Sequence, residues 1–155
     1  MAGDLQARQK MDYMILEVPA RSENESFVRV VVAAFAARLD PTLEELNELK
    51  TAVSEAVTNC ILHAYEGKEG KIMIKAAIEK NKFIVEVHDT GKGIKDIATA
   101  REPLYTEKPE LERSGMGFTI MENFMDEVTI SSRPNEGTVI KMLKYFNNNS
   151  KDSTH

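Results

Sequence analysis

One cysteine, no tryptophan and no apolar run near the ~18 residues of a membrane span narrow what this chain can be. With Cys60 alone there is no disulfide framework, and His63, His88 and His155 do not cluster into a Cys/His metal site. Any metal bound here would be held by oxygen. The N-terminus lacks a basic region followed by an apolar block, so neither export nor a membrane is indicated and the cytoplasm is expected. Positive charge is also short. Twenty Lys and Arg against 25 Asp and Glu give a net charge of -5, the wrong sign for the basic footprint of direct nucleic-acid binding. A protein or small-molecule partner fits better.

What remains is an ordinary globular composition: 155 residues, 42% hydrophobic and 29% charged, enough for one sizeable core. A single domain over residues 11–146 is expected. Residues 1–10 form a polar, flexible extension and 147–155 a disordered tail. Tyr13 to Val18 suits a first strand ended by Pro19. Ser22 and Glu25 have the spacing of a capping box, opening a helix whose Phe27, Val30, Val31, Ala34, Phe35 and Leu39 recur at helical spacing. Asp40-Pro41 punctuates the chain, and Thr42 with Glu45 makes a second capping box for a long helix from Thr42 to Tyr65, stopped by Gly67.

That long helix has two faces. Leu46, Leu49, Val53, Ala56, Val57, Cys60, Ile61 and Ala64 form an apolar stripe, while Glu55 and Asn59, four apart, point together from the other side. Taken alone, the pair reads as a solvated helix face. Next, Ile72, Ile74, Ala76 and Ile78 alternate, Asn81-Lys82 turns the chain, and Phe83, Val85 and Val87 alternate again, predicting a hairpin with one apolar face. Asp89 continues the second series. Its carboxylate therefore points to the buried side, where an ionised acid is costly without donors.

Thr90-Gly91-Lys92-Gly93 follows, a sharp turn able to approach a ligand closely, and neither a Walker A loop nor a dinucleotide fingerprint. Ile97 to Ser114 is highly charged, with Pro103 and Pro109, and reads as a lid or exposed loop. Ser114-Gly115-Met116-Gly117 leads into a helix over Phe118 to Asp126 carrying Ile120, Met121, Phe124 and Met125. Glycines opening a helix leave N–H groups suited to phosphate oxygens, or simply make a flexible helix start. Val128 and Ile130 make a strand, Pro134 to Gly137 a turn, and Val139, Leu143 and Tyr145 a closing strand.

The order E-x-x-x-N, D-x-G-x-G, lid and G-x-G resembles the Bergerat-type ATP-binding fold of gyrase, histidine kinases and MutL repair proteins. More narrowly, SENESF at Ser22 to Phe27, LDPT at Leu39 to Thr42, SEAVTN at Ser54 to Asn59 and the run from Lys108 to Asp126 are similar to the anti-sigma F factors of endospore-forming bacteria (stage II sporulation protein AB). This resemblance implies an α+β two-layer sandwich, a mixed, mostly antiparallel sheet covered on one face by about three helices. It implies an ATP-dependent serine kinase, a homodimer, that binds and inhibits sigma factor F and phosphorylates its anti-anti-sigma antagonist, with ATP/ADP and Mg2+ as cofactors.

By motif, Glu55 would be the catalytic base and Asn59 the magnesium ligand. Asp89, Gly91 and Gly93 would hold the adenine end; Arg113, Ser114, Gly115 and Gly117 would lie near the phosphates, and Arg29 on the partner surface. Asp89 suits that role because a carboxylate accepts from the adenine amine and rejects a guanine carbonyl. The chain departs from the pattern at Tyr105-Thr106-Glu107, where Phe-Thr-Thr is usual, at Thr90, and at Cys60 and Ala64 in place of Ala and Gly. Two alternatives stand beside this reading: an anti-sigma kinase for the general-stress sigma factor, and a noncatalytic nucleotide-gated binding module in which Glu55 has no catalytic task.

Overall fold

The structure, a computed structural model, describes residues 11–64, 69–91, 117–133 and 136–147. Strand β1 (Asp12–Pro19), β2 (Lys71–Glu79), β3 (Lys82–Asp89), β4 (Glu127–Arg133) and β5 (Gly137–Tyr145) form one sheet in the order β1-β2-β3-β5-β4. The expected mostly antiparallel sheet is antiparallel in all four of its ladders. Helices α1 (Glu23–Ala36), α2 (Leu43–Asn59) and α3 (Gly117–Phe124) supply its cover. Val28, Val32 and Phe35 of α1 and Leu49, Val53 and Val57 of α2 are buried with the inward residues of the strands, among them Ile72, Ile74, Phe83, Val85, Val87 and Ile140. This is the two-layer sandwich that the alternating strands predict, but the buried stripe of α1 is Val28, Val32, Phe35 and Ala36, so of the apolar face expected there Phe35 turns inward while Phe27, Val30 and Ala34 are exposed.

The alternation reads through correctly. Residues 72, 74, 76 and 78 of β2 and 83, 85, 87 and 89 of β3 all face inward, so Asp89 is buried at the C-terminal end of the central strand. The hairpin turns one residue earlier than expected, since Glu79 pairs with Lys82 and Lys80 takes a left-handed φ of 57°.

The two capping boxes fare differently. Thr42 has the extended backbone of an N-cap (φ -70°, ψ 161°). Its Oγ1 accepts from the Glu45 N–H at 3.0 Å, and Glu45 Oε1 accepts from the Thr42 N–H at 2.9 Å. Ser22 instead lies in the helical region, φ -54° and ψ -37°, and makes no side-chain cap bond. A cap needs extended backbone at that position. Here the chain leaves Pro19 through a tight turn closed by backbone bonds from Arg21 to Pro19 and from Asn24 to Arg21, and the Asn24 side chain returns to the Pro19 carbonyl at 2.8 Å.

Helix α1 also ends before Leu39. A 3-10 turn, Ala37–Leu39, leads to Asp40 in the left-handed conformation (φ 51°), because the residue before Pro41 is disfavoured in the right-handed helical region. Helix α2 stops at Asn59 and continues as a π-helical turn, Cys60–Ala64; the expected stop at Gly67 lies outside the described residues. Helix α3 packs against α2. Its C-terminal end is tied there by the buried Lys144, whose Nζ donates to the Phe124 carbonyl (2.7 Å) and to Glu48 Oε1 (3.0 Å).

The contrast between the caps is measurable by urea denaturation. Thr42→Ala is expected to cost about 0.5 to 2 kcal/mol, whereas Ser22→Ala changes stability by less than ~0.5 kcal/mol. Equal losses at the two positions would mean that Ser22 caps its helix after all.

Candidate functional site

Three elements meet at the end of the central strand. Helix α2 brings Glu55 and, one turn on, Asn59 as its last residue, both half-buried. The π turn begins at the next residue, Cys60, which is fully buried. π turns are rare and recur at functional sites. The Cys60 thiol donates to Asp89 Oδ2 at 3.3 Å, and the Gly91 N–H donates to Asp89 Oδ1 at 2.9 Å. The end of the Glu55/Asn59 helix, the strand acid and the first glycine of the following turn thus share one carboxylate.

Asp89 is 6% exposed. Burial raises its carboxyl above the ordinary 3.8, while bonds from the Gly91 backbone, the Cys60 thiol and the Thr138 backbone, and the charge of His88, pull the other way. Burial, then the Asp89 charge and hydrogen bond, push the Cys60 thiol well up, so it stays protonated and acts as donor. The two carboxylate oxygens together have about four acceptor sites, and these three donors do not fill them. The remaining sites can accept from a ligand amine.

Strand β5 fixes the backbone behind this acid. Asp89 pairs with Thr138, and Gly137 has φ +94°. A Cβ on Gly137 would collide with the Asp89 carbonyl oxygen and come within 2.7 Å of the Thr90 Cα. Thr138 is buried, and its Oγ1 lies 2.8 Å from Ser132 Oγ. Sequence reasoning took Gly137 as a turn residue and Cys60 as core filler. A glycine at a strand's first position was the only available signal for the close approach.

The other predicted residues divide clearly. Gly117 opens α3, on the helix packed against α2. Gly93, Arg113, Ser114 and Gly115 lie outside the described residues. Arg29 belongs to α1, where it pairs with Glu25 at 3.6 Å and reaches Ser26 at 3.4 Å, and neither partner is a residue of the Asp89 cluster. An open groove of about 880 Å³ includes Gly91, with Pro19, Arg21, Lys71 and Thr90, but none of Glu55, Asn59 or Asp89. It borders the cluster without containing it.

With this geometry in place, the similarity to known proteins is direct. The histidine kinase-like ATPase domain matches residues 18–144. The chain is 57% identical over 136 residues to the anti-sigma F factor of Caldanaerobacter subterraneus subsp. tengcongensis, covering 88% of this chain and 95% of that protein. It is 58% identical over 134 residues to the anti-sigma F factor of Bacillus subtilis, covering 86% and 92%. Among solved structures, the RsbU and RsbW domains of Rv1364c from Mycobacterium tuberculosis superpose with a TM-score of 0.64 at 17% identity, over 87% of this chain and 32% of that one. The catalytic domain of the histidine kinase ThkA gives 0.52 at 19% identity, over 86% and 97%. These two structures share the fold.

Two outcomes follow from the cluster. Because the folded carboxyl of Asp89 is raised, the ligand-free protein should lose stability as pH climbs from the ordinary value of 3.8 to that higher folded value, and then carry a constant deficit. Melting curves of Asp89→Asn across that interval should lack the decline; an identical profile would mean that Asp89 is not the group responsible. Gly137→Ala, strained in both φ and space, is expected to cost about 1 to 3 kcal/mol in chemical denaturation, and a neutral result would contradict the close approach to Asp89.

Proposed function

The chain belongs to the anti-sigma F factor family, within the histidine kinase-like ATPase domains, and on that premise we propose that it inhibits sigma factor F and, using ATP, phosphorylates a serine of the anti-anti-sigma protein that antagonises it. The observation that carries this reading is the shared carboxylate: Asp89 is bonded to Cys60, the residue directly after Asn59, and to Gly91. A buried acceptor at a strand end, beside a half-buried amide and carboxylate, is the chemistry an adenine nucleotide needs.

Asp89 accepts the adenine amine, and Gly91 with Gly93 lets the chain turn around the base. Gly117, with Arg113, Ser114 and Gly115, provides donors for phosphate oxygens. The side-chain oxygen of Asn59, the last residue of α2, would hold magnesium together with phosphate and water oxygens, and the ion would supply screening of the phosphate charge. Glu55, one turn from Asn59, accepts the proton of the attacking serine hydroxyl as its oxygen bonds to the γ-phosphorus and the bond to the ADP oxygen breaks.

Arg29 fits the partner surface. It is flanked by Phe27, 50% exposed, and Val30, 57% exposed, and arginine beside an aromatic is the composition of an interface centre. Homodimerisation is supported by the uncovered face of the sheet, where Tyr13, Ile15 and Tyr145 are exposed. Phosphorylating the competitor adds about -1.5 to -2 charges to its contact face, which the acidic net charge of this chain disfavours.

The test is to mix the protein with ATP, magnesium and a candidate anti-anti-sigma partner and to weigh the partner. A gain of one phosphoryl group on serine is expected. Glu55→Gln should bind ATP within about threefold of the parent yet transfer at least ~10²-fold more slowly. Transfer that survives Glu55→Gln removes Glu55 as the base. A partner left unmodified while ATP is bound favours the noncatalytic module.

A further inference from the structure

We propose that Cys60, which stands where the family pattern has Ala, helps to orient Asp89 and so sharpens this chain's preference for adenine over guanine. The inference rests on the nucleotide-binding reading above and adds a residue to it. Asp89 is held from three directions. Strand β5 fixes its main chain through the ladder pairing with Thr138 and the close approach of Gly137, and the Thr138 backbone also donates to the carboxyl. The Gly91 N–H fixes Oδ1, but Gly91 belongs to the connection that follows β3. Among the described residues, Cys60 is the one that holds the carboxylate from the helical layer, through the thiol bond to Oδ2. Sites held by helices and strands keep their geometry more narrowly than sites held by loops.

The type of donor matters as much as its position. A thiol is a weak donor, and at 3.3 Å it orients Oδ2 while leaving most of its acceptor strength for a ligand. The π turn that opens at Cys60 departs from regular α-helical geometry at the very residue whose side chain reaches the strand acid, immediately after Asn59. If the thiol is removed, the carboxylate loses the bond that reaches it from the helical layer and is held less narrowly. The acceptor then no longer faces one place, and the guanine carbonyl, which a fixed carboxylate repels, is repelled less.

Cys60 is thus a positioning residue, and calorimetric titration of the full chain with ATP and with GTP separates that role from simple packing. Cys60→Ala and Cys60→Val, the second filling volume without a donor, should each weaken ATP binding about three- to tenfold, with a smaller loss for GTP, so that the ATP-to-GTP ratio falls. Cys60→Ser, which restores a donor, should return ATP affinity to within about twofold and restore the ratio. Asp89→Asn serves as the reference and should lose ATP affinity about ten- to a hundredfold. If Asp89→Asn loses ATP but the alanine and valine variants keep both affinity and ratio, or lose both nucleotides equally without rescue by serine, the role of Cys60 is overturned and the nucleotide site stands. If Asp89→Asn binds ATP like the parent, the nucleotide reading fails and this inference with it.

Discussion

A carboxylate buried at the end of the central strand is the constraint on which this molecule turns. Asp89 sits inward because the hairpin alternation leaves it no other face, and burial makes its ionised form costly. The chain offsets that cost with donors drawn from separate elements, the Cys60 thiol and the Gly91 N–H, and with a backbone clamp from β5 that only glycine at position 137 permits. A fold optimised for stability alone would place a neutral side chain there. A buried, partly satisfied acid in such a place is the physical ground for the binding role proposed for Asp89.

Much of this was legible in the amino-acid pattern. The period of two in 72–78 and 83–87 gave the strands and the inward parity of Asp89, and the reciprocal Thr42/Glu45 spacing marked the start of the helix that carries Glu55 and Asn59. What escaped were features decided by three-dimensional approach. Ser22 has the right spacing for a cap but the wrong backbone, because the turn out of Pro19 has already entered the helical region. Cys60 looked like one more stripe residue, since a helical wheel cannot anticipate the change to a π turn. Gly137 looked like a turn glycine, because its reason for being glycine lies in another strand, some 48 residues earlier in the chain, at Asp89 and Thr90. Of the phosphate-side residues read from the glycine motifs, Gly117 opens its helix as expected, and the others fall outside the described residues.

The architecture also separates the proposed nucleotide site from the proposed partner surface. The Asp89 cluster is built at the end of the sheet, whereas Arg29 with Phe27 and Val30 lies on α1 and the apolar residues Tyr13 and Ile15 lie on an edge strand. Lys144 connects α2 and α3: buried, paired with Glu48 and bonded to the Phe124 carbonyl, it holds the end of α3 against α2. An error in that contact would be felt at the site through the helices rather than through the ligand.

The most direct test of the account is a structure of the chain with ATP, or a nonhydrolysable analogue, and magnesium. The account predicts the adenine amine within about 2.7 to 3.2 Å of an Asp89 carboxylate oxygen, with the Asn59 side-chain oxygen on the metal. A nucleotide seated in the groove beside Arg21 and Lys71, or elsewhere on the surface, with no bond between its base and Asp89, would contradict it.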